Sequence, residues 1–275
     1  MFRLLNIEFH KLKHSRASKV LIITYFVLLT STALIASIKF DIGEIKFHLA
    51  ELGIFNFPYI WHLNTFLSST IKIFLLLVIV SMMSNEYSNK TLKQNLIDGL
   101  SKKEFILSKF YTVIVFALVS TLFVFLVSLI LGLIYSDFTE PAIIFSDLEY
   151  IFAYFVKLVG FFSMGLFLGI LIKRSAFAIG ALIVWFMIES FTKGMLYWKL
   201  EGAVDFIMQF LPLEAMSNLI KEPFTRFSAV KSVANQIGED LSKDFSVHFG
   251  DILIVLAWTA IFIYASYRLL KRRDL

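Results

Sequence analysis

The chain has 275 residues, of which 58% are hydrophobic and only 17% are charged. A soluble domain carries about 25% charged residues, so the composition excludes an ordinary soluble fold and places much of the chain in lipid. The net charge of +5 is sided rather than spread, and so does not indicate a nucleic-acid partner; with no Cys, a disulfide framework, a thiol nucleophile and a Cys-based metal site are excluded as well.

Residues 1–16 read MFRLLNIEFHKLKHSR. Phe2, Leu5, Phe9 and Leu12 recur at helical spacing, with Arg3, Lys11, Lys13 and His14 largely off that stripe. The pattern predicts a basic amphipathic helix on the membrane surface. The plainer reading is a positive flank of the first span. His10 and His14 stand four apart, but no carboxylate motif accompanies them, so they read as solvated histidines and no metal site is assigned. The apolar run after Lys19 carries no small-residue cleavage site and reads as a retained span, not a leader.

Apolar runs near the roughly 20 residues a bilayer needs fall at 20–38, 66–83, 110–135, 150–172, 176–192 and 250–268. They predict an all-α integral membrane protein: one domain over 1–275, built as a six-transmembrane helix bundle. Segment 1–19 is the interfacial helix, 84–109 an internal loop and 193–249 an outer segment. Uninterrupted runs are helices, because barrel strands alternate. Sixteen Lys and Arg lie in 1–19, 84–109, 173–175 and 268–275, against two, Lys39 and Lys46, in the short loops 39–65 and 136–149. That asymmetry puts both termini in the cytoplasm. Asp137, Glu140, Asp147 and Glu149 gather in one outer loop and agree with it.

The loop 84–109 is too long for a plain connector. Leu92, Leu96 and Leu100, with Ile97 beside them, make an apolar edge; Lys90, Lys93, Gln94 and Asp98 make the other. Gly99 reads as a helix stop, and Ser101-Lys102-Lys103-Glu104 fits a capping box. The loop is a docking element, or a helix resting on headgroups. Gly165 and Gly169 form a GxxxG with Gly160 nearby, which suits close packing within one subunit or a dimer seam. The 57 residues of 193–249 contain Met195-Leu196-Tyr197-Trp198 and Phe206 through Leu213. They predict short helices that dip back toward the bilayer, one of them begun or broken by Pro212.

Lys72, Lys157 and Glu189 fall inside spans. Such charges cost about 2.5–3.5 kcal/mol each and are functional candidates by default. A Lys157–Glu189 or Lys72–Glu189 pair would reduce the cost; snorkelling of the lysines to the outer interface is the alternative. No GxxxxGK[ST] loop, HExxH or GxSxG occurs, and no span holds the Asp of an intramembrane protease.

Two stretches now point to a family. MFRLLNIEFHKLKHSR before the first span resembles the elbow helix of bacterial type-2 ABC exporter permeases. Asn85-Glu86-Tyr87-Ser88-Asn89-Lys90-Thr91-Leu92-Lys93-Gln94-Asn95-Leu96, then Gly99-Leu100-Ser101-Lys102-Lys103-Glu104-Phe105, resembles that family's segment after the second span, E-Y-x-x-x-T-x-[KR] then G-x-[ST]-[KR]-x-x-[FY]. Phe210-Leu211-Pro212-Leu213-Glu214 is similar to its late outer loop. The resemblance implies a permease subunit in the bacterial cytoplasmic membrane that pairs with a second permease chain. It also implies that no cofactor sits on this chain and that ATP-Mg is bound by separate ATP-binding-cassette ATPase subunits docking from the cytoplasm. Glu86, Leu92, Leu96 and Leu100 would form the coupling helix, and Lys173 and Arg174, between the fourth and fifth spans, a second contact. The chain itself would be no enzyme. A non-transporting membrane scaffold or sensor, and an intramembrane enzyme, are the other two classes the sequence leaves open.

Overall fold

The structure, a computed structural model, describes residues 2–37, 39–42, 45–48, 53–199, 204–226 and 244–273. Parts of the expected outer segment, 200–203 and 227–243, lie outside the described residues. Helix α1 (Phe2–His14) carries Lys11, Lys13 and His14 in its last turn, where cations offset the negative end of the helix dipole. Ser15 then accepts from the Ser18 amide at 3.3 Å and so caps α2 (Arg16–Ser37). A hairpin, β1 (Lys39–Ile42) paired antiparallel with β2 (Ile45–His48), follows, with Phe40 opposite Phe47.

The second expected span is not a single straight helix. It begins earlier than position 66, as α3 (Tyr59–Ile71), and continues as α4 (Ile73–Ser88) after a bend of 41° at Lys72. The residues at the bend explain it. Ser69 and Thr70 donate their hydroxyls to the carbonyls of Phe66 and Leu67, and Lys72 Nζ donates to the Ser69 carbonyl. Side-chain donors that claim backbone carbonyls loosen the helical ladder and bend it.

After α4 the chain turns through Lys90, which has a φ of 56°, into the short α5 (Thr91–Ile97). Gly99 ends it at a φ of 96°, a conformation that costs a residue with a Cβ. The Ser101–Glu104 capping box then starts α6 (Lys102–Tyr135). At 34 residues α6 is about 51 Å long and outreaches a hydrocarbon core of about 30 Å. A turn, α7 (Pro141–Ile144), leads to α8 (Glu149–Ile172), which joins α9 (Ser175–Lys199) through a two-residue hairpin. Short helices α10 (Val204–Met208) and α11 (Pro212–Asn218) and a 3-10 turn at Phe224–Arg226 precede the last helix, α12 (Phe249–Arg272).

Helix α8 is the centre of the bundle. Its apolar window is 78% buried, against 17% for α9. The glycines of α8 serve packing within this chain. A Cβ on Gly165 would collide with Leu76 of α4, one on Gly169 would press on Met83, and one on Gly160 would press on Val255 of α12. Tyr25 of α2 reaches the same helix through a buried 3.1 Å bond between its hydroxyl and that of Tyr154. Among the described residues, α6, α8, α9 and α12 are long and apolar enough to cross a membrane, and α3–α4 makes a fifth such element if the bent pair is one span. Met195 to Trp198, expected in the outer segment, belong instead to the end of α9.

Candidate functional site

The bundle end that carries α1 and α5 is held together by four charged side chains from three helices. Lys109 of α6 donates to Glu8 of α1 at 2.5 Å and to Glu86 of α4 at 2.6 Å. Lys11 of α1 donates to the same Glu86 oxygen at 2.7 Å and lies 3.9 Å from Glu8. The other oxygen of Glu86 accepts from Thr91 at 2.6 Å and from Asn95 at 3.4 Å, both on α5. Glu8, Glu86 and Lys109 are all buried. Two carboxylates and two ammonium groups balance, which is the condition under which charges tolerate burial. Glu86 therefore joins α1, α4, α5 and α6 at one carboxylate.

This placement revises how the expected coupling residues are used. Leu92 is buried, and Leu96 and Leu100 pack on the core. The apolar edge of α5 thus faces its own bundle and does not stand free for a cleft on another protein. Glu86 is likewise enclosed, bonded among the described residues to Lys11, Lys109, Thr91 and Asn95. The outward face of α5 consists of Lys93, Gln94, Ile97 and Asp98, with Ile97 74% exposed. The stripe on α1 shifts in the same way. Its packed positions are Glu8 and Leu12, with Leu4 and Leu5 half-buried, while Phe9 is exposed and meets Phe116 edge-on.

Lys173 and Arg174 are both exposed in the α8–α9 hairpin, at the same end of the bundle. Lys173 takes a φ of 65° and lies 5.6 Å from the centre of the Tyr87 ring. Arg273 locks the hairpin from behind. Its guanidinium donates to the carbonyls of Ile170 and Leu171 and to the Tyr87 hydroxyl at 3.1 Å. These are carbonyls that the end of α8 would otherwise leave unpaired.

The intramembrane charges do not pair with one another among the described residues. Glu189 of α9 accepts from Trp185 at 2.7 Å and from the amides of Leu213 and Glu214 at 3.1 Å. It caps α11 from outside the helix, where Pro212 occupies the first turn. The carboxylate meets the positive end of that helix and three donors, and this accounts for its place in the bundle. Neighbouring Lys193 bonds Glu214. Lys72 and Lys157 instead line one cleft of about 410 Å³ among α3, α4, α8, α9 and α11. At the opposite end from α5, His62 stacks on Tyr150 at 4.1 Å, and Arg226 reaches both of them and Asp147.

Glu8, Lys109, Arg273 and Arg226 were not singled out by the sequence. Glu8 left one signal, a carboxylate on the same helical face as Leu5 and Leu12. Lys109 sits immediately before the apolar run at 110–135, where a lysine normally marks only the membrane border.

Long apolar helices around a buried centre define a membrane-embedded protein that, among the described residues, is helical apart from one short hairpin. The chain belongs to DUF2705, Protein of unknown function (DUF2705), whose family model matches residues 20–275. No curated protein matches the chain.

Proposed function

We propose that the chain is the membrane-spanning permease subunit of an ATP-driven ABC exporter in the bacterial cytoplasmic membrane. It spans six times with both termini inside, α2 and the bent α3–α4 pair being the first two spans. The chain pairs with a second permease chain, and separate ATPase subunits dock at the α1/α5 end. The observation that carries this reading is α5: a short helix outside the apolar spans, anchored through Glu86 to α1, α4 and α6, with a charged and apolar face left outward. A helix resting on headgroups needs only an apolar face toward lipid. The outer face here is Lys93, Gln94 and Ile97, while the leucines point in. Exposed Lys173 and Arg174 at the same end give the second contact.

The experiment is co-purification from mild detergent, with ATP hydrolysis measured on the complex and on the chain alone. The chain alone shows no hydrolysis, having no nucleotide loop. Ile97→Asp and Lys93→Glu leave the chain inserted and folded but release the ATPase, since docking anchors are worth about 1–3 kcal/mol each. If both variants retain the ATPase and its activity at wild-type levels, the coupling reading fails.

A further inference from the structure

The cleft holding Lys72 and Lys157 has no part in the coupling reading, and its chemistry is unusual for this chain. The other buried lysine described above, Lys109, is bonded to two carboxylates. Lys157 is only 4% exposed, yet among the described residues no carboxylate or other acceptor meets its ammonium. Lys72 has the Ser69 carbonyl and the face of Phe161, 4.8 Å from the ring centre, and, among the described residues, no counter-charge. Snorkelling does not account for Lys157. The residue lies eight positions into α8, about 12 Å along the helix, and a snorkelling lysine keeps its ammonium in water. Lys157 lines the cleft, and a cation held in so apolar a setting without a partner is costly unless an anion is supplied there.

The rest of the cleft says what carries that anion. Phe66, Phe161, Leu182 and Phe186 line it, and the rim residues Ile183 and Phe186 are 55% and 61% exposed. The cleft therefore opens on the apolar flank of α9, toward lipid. Two ammonium groups inside and hydrocarbon-lined walls leading to a lateral mouth match a molecule with an anionic head and an apolar tail. We propose that this cleft binds an anionic amphiphile, with a phosphate headgroup held by Lys72 and Lys157 and its hydrocarbon against Phe66, Phe161 and Phe186. The site stands whether or not an ATPase couples to the chain, and it is tested on the chain alone.

The test is native mass spectrometry of the delipidated full chain in non-ionic detergent. It is titrated with phosphatidylglycerol, with phosphatidylcholine of the same acyl chains, and with glycerol phosphate, which has the headgroup without the tail. Phosphatidylglycerol binds saturably, phosphatidylcholine is at least about tenfold weaker, and glycerol phosphate is not retained. Lys72→Gln and Lys157→Met each weaken phosphatidylglycerol by about tenfold or more, as expected for loss of a charge-assisted bond. Lys103→Gln, exposed near the start of α6, changes nothing. A second measurement covers a Lys157 variant that fails to fold. Ser217 lines the cleft, and Ser217→Cys places one thiol there in a chain with no other; phosphatidylglycerol slows its labelling by a maleimide. Equal retention of the two phospholipids, retention of glycerol phosphate as tight as that of the lipid, or labelling of the Ser217→Cys variant at a rate indifferent to phosphatidylglycerol would each overturn the proposal.

Discussion

Glu86→Gln is the sharpest test of the charged cluster. Glutamine keeps the shape but has a single acceptor oxygen: turned toward Thr91 and Asn95, it presents its NH2 to Lys109 and Lys11, so the change removes both the charge and the acceptor on the lysine side. Lys109, fully buried, keeps only Glu8, and Lys11 loses its 2.7 Å partner. The buried group then carries one net positive charge. Removing one partner of a buried pair costs about 3–5 kcal/mol; the surviving Lys109–Glu8 bond and the half-exposed Lys11 put this case near about 3 kcal/mol. For a chain of this size that corresponds to a fall in melting temperature of roughly 6–12 °C. Lys109→Met leaves the opposite imbalance, and Glu86→Gln with Lys109→Met restores neutrality through Glu8 and Lys11. A double-mutant cycle in detergent should therefore show about 2 kcal/mol of coupling, with the double variant closer to wild type than the sum of the singles. Limited trypsin digestion reports the local effect, because release of α5 speeds cleavage at Lys90 and Lys93. A Glu86→Gln melt within about 2 °C of wild type (under about 1 kcal/mol), or strictly additive single variants, would refute the argument that this carboxylate holds the four helices.

Two further outcomes are expected. Lys103→Cys should react with an impermeant thiol reagent only from the cytoplasmic side and Thr139→Cys only from outside, given the Lys and Arg asymmetry of the loops; reversed labelling would invert the orientation. Glu189→Ala should lower stability by about 1–2 kcal/mol, since it removes the acceptor of a helix start and of the Trp185 indole, and an unchanged melt would remove the capping role.

Much of the bundle was legible because length and apolarity report on the solvent directly. The runs at 110–135, 150–172 and 250–268 coincide with α6, α8 and α12 to within a few residues at most ends. The clearest excess is the start of α6, which reaches back to Lys102. There hydropathy falls below span level while the Ser101–Glu104 box continues the helix. The bend at Lys72 was not legible, because it arises from which carbonyls Ser69, Thr70 and Lys72 choose, and sequence pattern does not state that choice. The capping box and the Gly99 stop were legible, since both are local chemistry. Orientation of α5 was not: an apolar edge three to four residues apart shows that one face is buried, but not against what. Glu189 stands out as an intramembrane charge, but beyond Trp185 on its own helix its donors are two amides 24 and 25 residues away, which no spacing rule connects.

The charged cluster also bears on what kind of part α5 is. Stability alone does not require it, because well-packed apolar residues of equal volume commonly match or exceed a buried ion pair by about 1–4 kcal/mol. What ionic bonds supply is direction. A row of leucines tolerates rotation or a small slide, since dispersion contacts have no preferred angle. Glu86 does not, because its two oxygens are claimed from different sides, Lys11 and Lys109 on one and Thr91 and Asn95 on the other. Any displacement of α5 must then move α1, α4 and α6 with it or break a buried bond. Under the exporter reading, that is the property a transmitting element needs: a push on Ile97 and Lys93 is delivered to three helices at once instead of being absorbed in a mobile loop.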